Sequence, residues 1–375
     1  MKILVAGDYV PRNRLAPMVE ACQYEDIFGE VRNIVKGVDY AIVNFESPIT
    51  GNTDIPIEKC GPNLHCPPKA VDALKYAGFN CVTLANNHIR DFGDTAVERT
   101  MSILSKSGME HVGAGENIDD AARILFHHFG DITLAIINCC ENEFSIASKK
   151  QYGANPLNPI RQYYKIIEAR EKADYVMVIV HGGHEEYQLP SPRMQDAYRF
   201  FVDAGVDIVV NHHQHCYSGY EIYKGKPIVY GIGNFCMDKQ PVRIGKIWNY
   251  GYMIIWDTEK PAQIQVVPYN QCGEEPRVHL LDEDAFDERL GQLNDIIADR
   301  DRLEEATEKY YERSMPSVDN AVEPFNNKYL AALRKRHLLP SFLMKKQRLK
   351  LQDYVLCESH RDKMEYYFKN KNNKQ

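Results

Sequence analysis

Long apolar runs are absent from this sequence. The longest, Tyr175 to Val180, falls far short of the roughly 20 residues that cross a bilayer, so no integral membrane segment is expected. The opening MKILVAGDYV meets Asp8 at once and has neither the apolar length nor the small-residue cleavage site of a secretory signal. An excess of positive charge is also missing. The net charge is -7, which argues against nucleic acid as a partner held by bulk charge. Ten cysteines are present, but no two are separated by two residues, so a zinc ribbon is not expected. We read them as reduced, mostly buried thiols in a reducing compartment, and the protein as cytoplasmic.

What is present is an ordinary globular composition, 44% hydrophobic and 26% charged over 375 residues. That length suits a large domain with an appendage and buries a sizeable core without disulfides. Apolar runs recur, each followed by a polar loop and then a helical pattern. Strands are expected at 2–6, 40–44, 81–84, 124–129, 132–138, 175–180, 207–210, 220–223, 227–230, 252–256 and 263–268. Helices are expected at 27–36, 68–77 with Gly78 as its stop, 95–106 with Asp94 as N-cap, 159–172 and 193–204. Gly130-Asp131 and Lys224-Gly225 read as hairpin turns. The pattern is layered α/β with mixed sheets. After about residue 275 the composition turns to Glu, Asp, Arg and Leu, with helical spacing at Phe286, Leu290, Leu293 and Ile297. Pro316 and Pro324 are expected to interrupt, with more helix from 327 to about 367 and a frayed tail. This gives two parts, 1–272 and a mostly helical 273–375.

The chemistry lies at the strand ends. The first strand delivers Asp8. The second, AIVNFESP, delivers Asn44 and Glu46. The third, VTLANNHIRDFG, delivers Asn86, Asn87, His88 and Asp91. VMVIVHGGHEE ends at His181, with His184 and Glu185 behind it. DIVVNHHQHC delivers His212, His213 and His215, and GIGNFCMD delivers Asn234 and Asp238. In open α/β sheets ligands bind at the carboxyl ends of strands. Carboxylates, an amide oxygen and imidazoles form a mixed donor set that suits one or two divalent ions such as Mn, Fe, Zn or Mg. Two such ions about 3.5–4 Å apart clamp a phosphoryl group. Each residue alone has a plainer reading. Asp8 could cap a helix, Asn44 and Glu46 could sit in a turn, and His212–His215 could be an exposed polar loop. The succession after consecutive strands favours the metal reading.

The runs AGD, NFESP, ANNHIRDFG, GAG at Gly113–Gly115, HGGHEE, HHQH and YGIGNF occur in that order over roughly residues 1–270. Together they resemble the CapA-type poly-γ-glutamate and capsule synthesis family, which is similar to the calcineurin-like metallophosphatases. The resemblance implies a four-layer α/β/β/α metallophosphatase-like sandwich, followed here by the C-terminal helical extension. By position it implies Asp8 and His215 on a first metal, Glu46 as the bridging carboxylate, and Asn87, His181 and His213 on a second. It implies His88 as acid or transition-state stabiliser, oriented by Asp91. Asn44, Asn86, Glu185, His212 and Asn234 are expected on the substrate side. Metallophosphatases usually carry a histidine two residues after the first aspartate, where this chain has Val10. The family usually has Trp and Tyr in the histidine loop, where this chain has Gly182 and Glu186.

Other features read more plainly. Gly113-Ala-Gly115 lacks the further glycine and lysine of a P-loop and reads as a tight turn. Cys216 beside His215 reads as a passive thiol. The basic run 345–350 reads as a solvated helix face. The expected function is a metal-dependent, phosphoesterase-like hydrolase acting on a small molecule or an anionic polymer, in capsule, poly-γ-glutamate or other cell-surface polymer biosynthesis. The alternative is a non-catalytic polymer-binding partner of such an assembly system. The C-terminal helices are expected either to lid the site or to make a homodimer.

Overall fold

Along β1 (Lys2–Val10) successive side chains enter two different cores. Ile3 and Val5 join one, Leu4 and Ala6 the other, as the two-residue repeat of a strand buried on both faces requires. The computed structural model describes residues 1–281, 284–322 and 344–372. After β1 come α1 (Leu15–Glu20), α2 (Tyr24–Phe28), α3 (Val31–Lys36), β2 (Tyr40–Phe45), α4 (Lys69–Ala77), β3 (Cys81–Thr83) and α5 (Gly93–Ser107). Then follow β4 (Glu110–Val112), β5 (Ala114–Gly115), α6 (Ile118–Ala121), β6 (Leu125–Phe129), β7 (Ile132–Cys140), β8 (Gly153–Ala154), α7 (Pro159–Arg170) and β9 (Tyr175–His181). Next are α8 (Pro192–Asp203), β10 (Ile208–His212), β11 (Tyr220–Tyr223), β12 (Lys226–Val229), β13 (Asn234–Met237), β14 (Tyr250–Asp257), β15 (Ile264–Gln271) and β16 (Val278–Leu280). The chain continues with α9 (Asp284–Ala298), α10 (Arg300–Val322), α11 (Lys345–Leu356) and α12 (Glu358–Asn372).

Among the described residues, one sheet runs β16-β15-β14-β1-β2-β3-β4, with β13 also on β1, and the other runs β11-β12-β10-β9-β7-β6. Both mix parallel and antiparallel pairs. The inner faces share a core in which Ile3, Ile42 and Ile254 meet Ile136, Met177 and Val210. Helices α2 to α5 cover the outer face of the first sheet through Ile27, Val31, Leu74 and Val97. Helices α7 and α8 cover the second through Ile166, Tyr198 and Phe201. This is the expected four-layer α/β/β/α sandwich. No helix of the described residues is long and apolar enough to cross a membrane.

Several expectations need correction. The helix expected over 27–36 is two helices, broken where Gly29 takes φ +42°. Asp94 is not the N-cap of α5. The helix starts at Gly93, and Asp94 lies in its first turn, where it accepts from Arg90 at 2.9 Å. Pro316 does not interrupt, since α10 continues to Val322. Pro324 and the helix expected from 327 to 343 lie outside the described residues. The division at 272/273 marks a change of composition and not an edge of packing. β16 pairs with β15 beyond it, and Phe286, Leu290, Leu293 and Ile297 of α9 enter the main core.

Candidate metal centre

The parallel strands β1, β2, β9 and β10 bring their carboxyl ends together. β1 carries a bulge between Ala6 and Asp8, after which it leaves β14 and pairs with β13. Gly7 makes that switch feasible. A Cβ there would stand 1.9 Å from the Gly233 carbonyl oxygen, so only glycine lets the strands approach. Asp8 N then donates to the same carbonyl at 3.2 Å, which fixes the aspartate at the mouth of the sandwich.

Six of the expected residues converge there. Asp8, Glu46 and His215 form one group of potential ligand atoms within 4.8 Å of one another, and Glu46, His181 and His213 form a second. Glu46 belongs to both. In the second group, His181 Nε2 stands 3.0 Å from Asn87 Oδ1, 3.1 Å from His213 Nδ1 and 3.3 Å from Glu46 Oε1. Donors held about 2.1 Å from a shared cation stand about 3.0–3.4 Å apart in tetrahedral or octahedral geometry. In the first group His215 Nδ1 faces Asn234 Oδ1 at 2.9 Å and Asp8 Oδ2 at 3.6 Å, which leaves Nε2 as the nitrogen free for a cation. Both His213 and His215 have positive φ, 91° and 54°. This conformation is uncommon for residues with a side chain and is held only where the surroundings enforce it.

The donor chemistry fits divalent cations. Both Glu46 carboxylate oxygens are fully buried and have no hydrogen-bond partner among the described residues. Burial, and then Asp8 beside it, push the Glu46 carboxyl well above its usual range. Burial opposes ionisation of Asp8 too, but His215 and His212 outweigh it and hold that carboxyl low. His215 is disfavoured as a cation by burial, yet Glu46 and Asp8 raise it to about 10. Buried carboxylates without donors are costly unless a positive centre compensates them.

A second cluster adjoins the centre. His88 Nδ1 is 2.6 Å from Asp91 Oδ2, leaving Nε2 on the Glu46 side at 4.0 Å. Lys59 pairs with Asp91 and stands 3.1 Å from His88 Nδ1. Burial, then Lys59, lower His88 to about 4.

Four residues expected to face substrate do not. Asn44 donates to Asp8 Oδ1 at 2.7 Å and accepts from Thr83. Asn86 donates to the Phe45 carbonyl and accepts from His88 N. His212 Nε2 lies 3.0 Å from the Ala6 carbonyl, and Asn234 Oδ1 is 2.9 Å from His215 Nδ1. All four are buried, and Asn44 and Asn234 hold Asp8 and His215 in place directly. Glu185 stays on the solvent side of the site; loss of water around its carboxyl opposes ionisation, but His215, His213 and His88 hold it at about 2. The residues missed from the sequence are Lys59, Glu141 and Glu143, all on loops without a periodic signal.

The departures have structural causes. Val10, where a histidine was expected, packs with Leu64, Met237 and Trp248. A Cβ on Gly182 would stand 2.7 Å from the Glu141 side chain. Gly113 is a packing turn, with φ +99° and Asn138 Oδ1 1.9 Å from where a Cβ would be. Burial pushes the Cys216 thiol up, so it is a passive thiol.

The model of the bacterial capsule synthesis protein family PGA_cap matches residues 2–239, and the chain belongs to that family. It is 31% identical over 247 residues to the capsule biosynthesis protein CapA of Bacillus anthracis, covering 64% of this chain and 60% of that one. It is 30% identical over 236 residues to the PGA biosynthesis protein CapA of Bacillus subtilis (strain 168), covering 62% of each. The chain thus spans about three fifths of the length of these curated relatives. A solved structure of a hypothetical protein from Thermus thermophilus covers 75% of this chain and 100% of its own, at 16% identity and a TM-score of 0.47.

Proposed function

We propose that the protein is a divalent-metal-dependent hydrolase, phosphoesterase-like, acting on an anionic substrate in capsule or poly-γ-glutamate biosynthesis. The observation that carries this reading is Glu46, shared by two ligand groups with both oxygens buried and unpartnered. In this reading Asp8, Glu46 and His215 hold one cation, and Glu46, Asn87, His181 and His213 hold the other. The bound ions supply Lewis acidity and an acidified water. Asn44 and Asn234 aim Asp8 and His215. Asp91, paired with Lys59, holds the proton on His88 Nδ1, so that the lone pair of Nε2 faces the reacting bond and takes a proton from the attacking nucleophile. The family membership supports the polymer setting; the bond cleaved is argued from the donor set alone.

A second reading is favoured by Val10. With an apolar cluster at that position, the first group has three protein donors, and the centre would serve to bind an anionic polymer without cleaving it. Elemental analysis and an ester-hydrolysis screen decide. Two equivalents of metal with turnover that is lost in His213→Ala support the hydrolase. Protein without metal or turnover that binds polymer supports the binding partner.

A further inference from the structure

Two arginines follow β1, and they are held very differently. Arg14 donates to both Asp238 oxygens and to the carbonyls of Cys272, Gly273 and Glu274. All its donors are directed into the protein, as for an arginine that ties a fold together. The Arg12 guanidinium, two residues earlier and half-buried, makes no hydrogen bond or ion pair among the described residues. It lines a cavity of about 310 Å³ together with Asn63, Leu64 and His65. Two of its lining residues are bonded to Asp91 of the His88 cluster. Leu64 N donates to Asp91 Oδ2 at 2.6 Å, and Asn63 Nδ2 to the Asp91 carbonyl at 2.8 Å.

We propose that Arg12 and this cavity form an oxyanion subsite, which takes a carboxylate or phosphoryl group of the substrate next to the bond held at Glu46. Asp238 and Glu46 act on the guanidinium through charge alone, without a hydrogen bond or ion pair. Asp238 is already paired to Arg14. Glu46 is compensated by the cations of the proposed centre, on which the placement of the reacting bond rests. A planar fork of donors without a partner, at the wall of an open cavity, matches the two oxygens of one carboxylate or phosphate. Arg12 is a binding residue in this scheme and takes no proton.

The test is titration calorimetry of the protein as purified with two probes, γ-linked triglutamate and inorganic phosphate, alongside elemental analysis. Arg12→Gln is expected to weaken one probe at least tenfold with metal content unchanged. Arg12→Lys is expected to restore only part of the loss, because a point charge cannot reproduce the fork. An effect on triglutamate assigns the subsite to a carboxylate, and one on phosphate to a phosphoryl group. Equal affinities in wild type and Arg12→Gln, no binding of either probe by wild type, or loss of metal in the variant each overturn the subsite. Arg12-dependent binding in a protein that holds no metal upholds the subsite and sinks the hydrolase reading.

Discussion

Glu46→Gln is the substitution that interrogates the centre most directly, because it keeps the side-chain volume and removes the charge that both ligand groups share. His213→Ala touches one group and His215→Ala the other. The structure therefore predicts loss of about one equivalent of metal in each histidine variant, without unfolding, and of both in Glu46→Gln. Saturating metal stabilises a protein by about 2.7–4.1 kcal/mol at 100–1,000 times Kd. For a chain of 375 residues, an unfolding entropy of about 2.1 cal/mol/K per residue turns that into a Tm rise of about 3–5 °C for each ion bound. Differential scanning calorimetry of chelated and reloaded protein should show the rise in wild type and none in Glu46→Gln. After chelation the order reverses. A buried carboxylate without donors costs about 1–3 kcal/mol or more, so chelated Glu46→Gln should be the more stable form at pH 8. The Glu46 carboxyl is raised above its ordinary value by burial and then by Asp8. Its protonated form is therefore favoured by folding, and the benefit is full below about pH 4.5 and lost as pH rises through the raised value. The gap between the two chelated proteins should widen from pH 5 to pH 8. Retention of both metal equivalents and of the metal-dependent Tm rise in Glu46→Gln would refute the shared-ligand reasoning.

Three other outcomes are expected. His88→Asn should keep its metal and lose about 10²–10⁴-fold in turnover of a phosphate ester; unchanged turnover would remove His88 from the mechanism. Because the second group offers four protein donors and the first three, stepwise chelation followed by elemental analysis should release one equivalent before the other. The ion that survives should be the one His213→Ala removes, and simultaneous release from a single class of sites would contradict this. Glu141 anchors the C-terminal helices: it pairs with Arg193 at 2.6 Å and accepts from Ser359, while Arg193 also holds Asp362. Burial opposes ionisation of Glu141, but Arg193 and Ser359 outweigh it and hold the carboxyl low. That stabilisation is present above about pH 4.5 and lost as pH falls below it. Arg193→Ala should therefore loosen α12 at pH 7 as acid does in wild type, by about 2 kcal/mol. This is below the about 3–5 kcal/mol of a fully buried pair, because the Arg193 side chain is 30% exposed. Hydrogen exchange in α12, compared with β9 and corrected for intrinsic rate, reads it; equal protection in the two proteins at pH 7 would refute the latch.

How much of this was legible in the sequence follows from where each residue sits on its element. Asp8, Glu46, His181 and the histidines after β10 stand at strand ends, and a strand announces itself by an apolar run with a defined stop. Roles at those ends were harder to read. Asn44 and His212 look like substrate-facing residues because a polar strand end reads the same whether it faces a substrate or a carbonyl. Only the 2.7 Å bond to Asp8 and the 3.0 Å approach to the Ala6 carbonyl separate the cases. His213 and His215 both face Glu46 because each takes positive φ, which no pattern of non-glycine residues encodes. Lys59 and Glu141 lie in irregular loops, where sequence carries no period to locate them.

The C-terminal helices show the same division between what repeats and what docks. Spacing found the apolar stripe of α9, and the structure buries it. Spacing could not say what α10 and α12 pack against, because their contacts are polar and long-range. Tyr310 stacks on Tyr187 at 4.0 Å and on His184 at 5.1 Å, three residues beyond His181. Glu358 accepts from Asn142 N and Nδ2, on the loop that carries Glu141 and Glu143. Glu143 in turn reaches Asn87 and His213 at 3.5 and 3.7 Å. α10 and α12 thus contact both loops that leave β7 and β9, and through Glu143 these contacts run on to the residues that would hold the second cation.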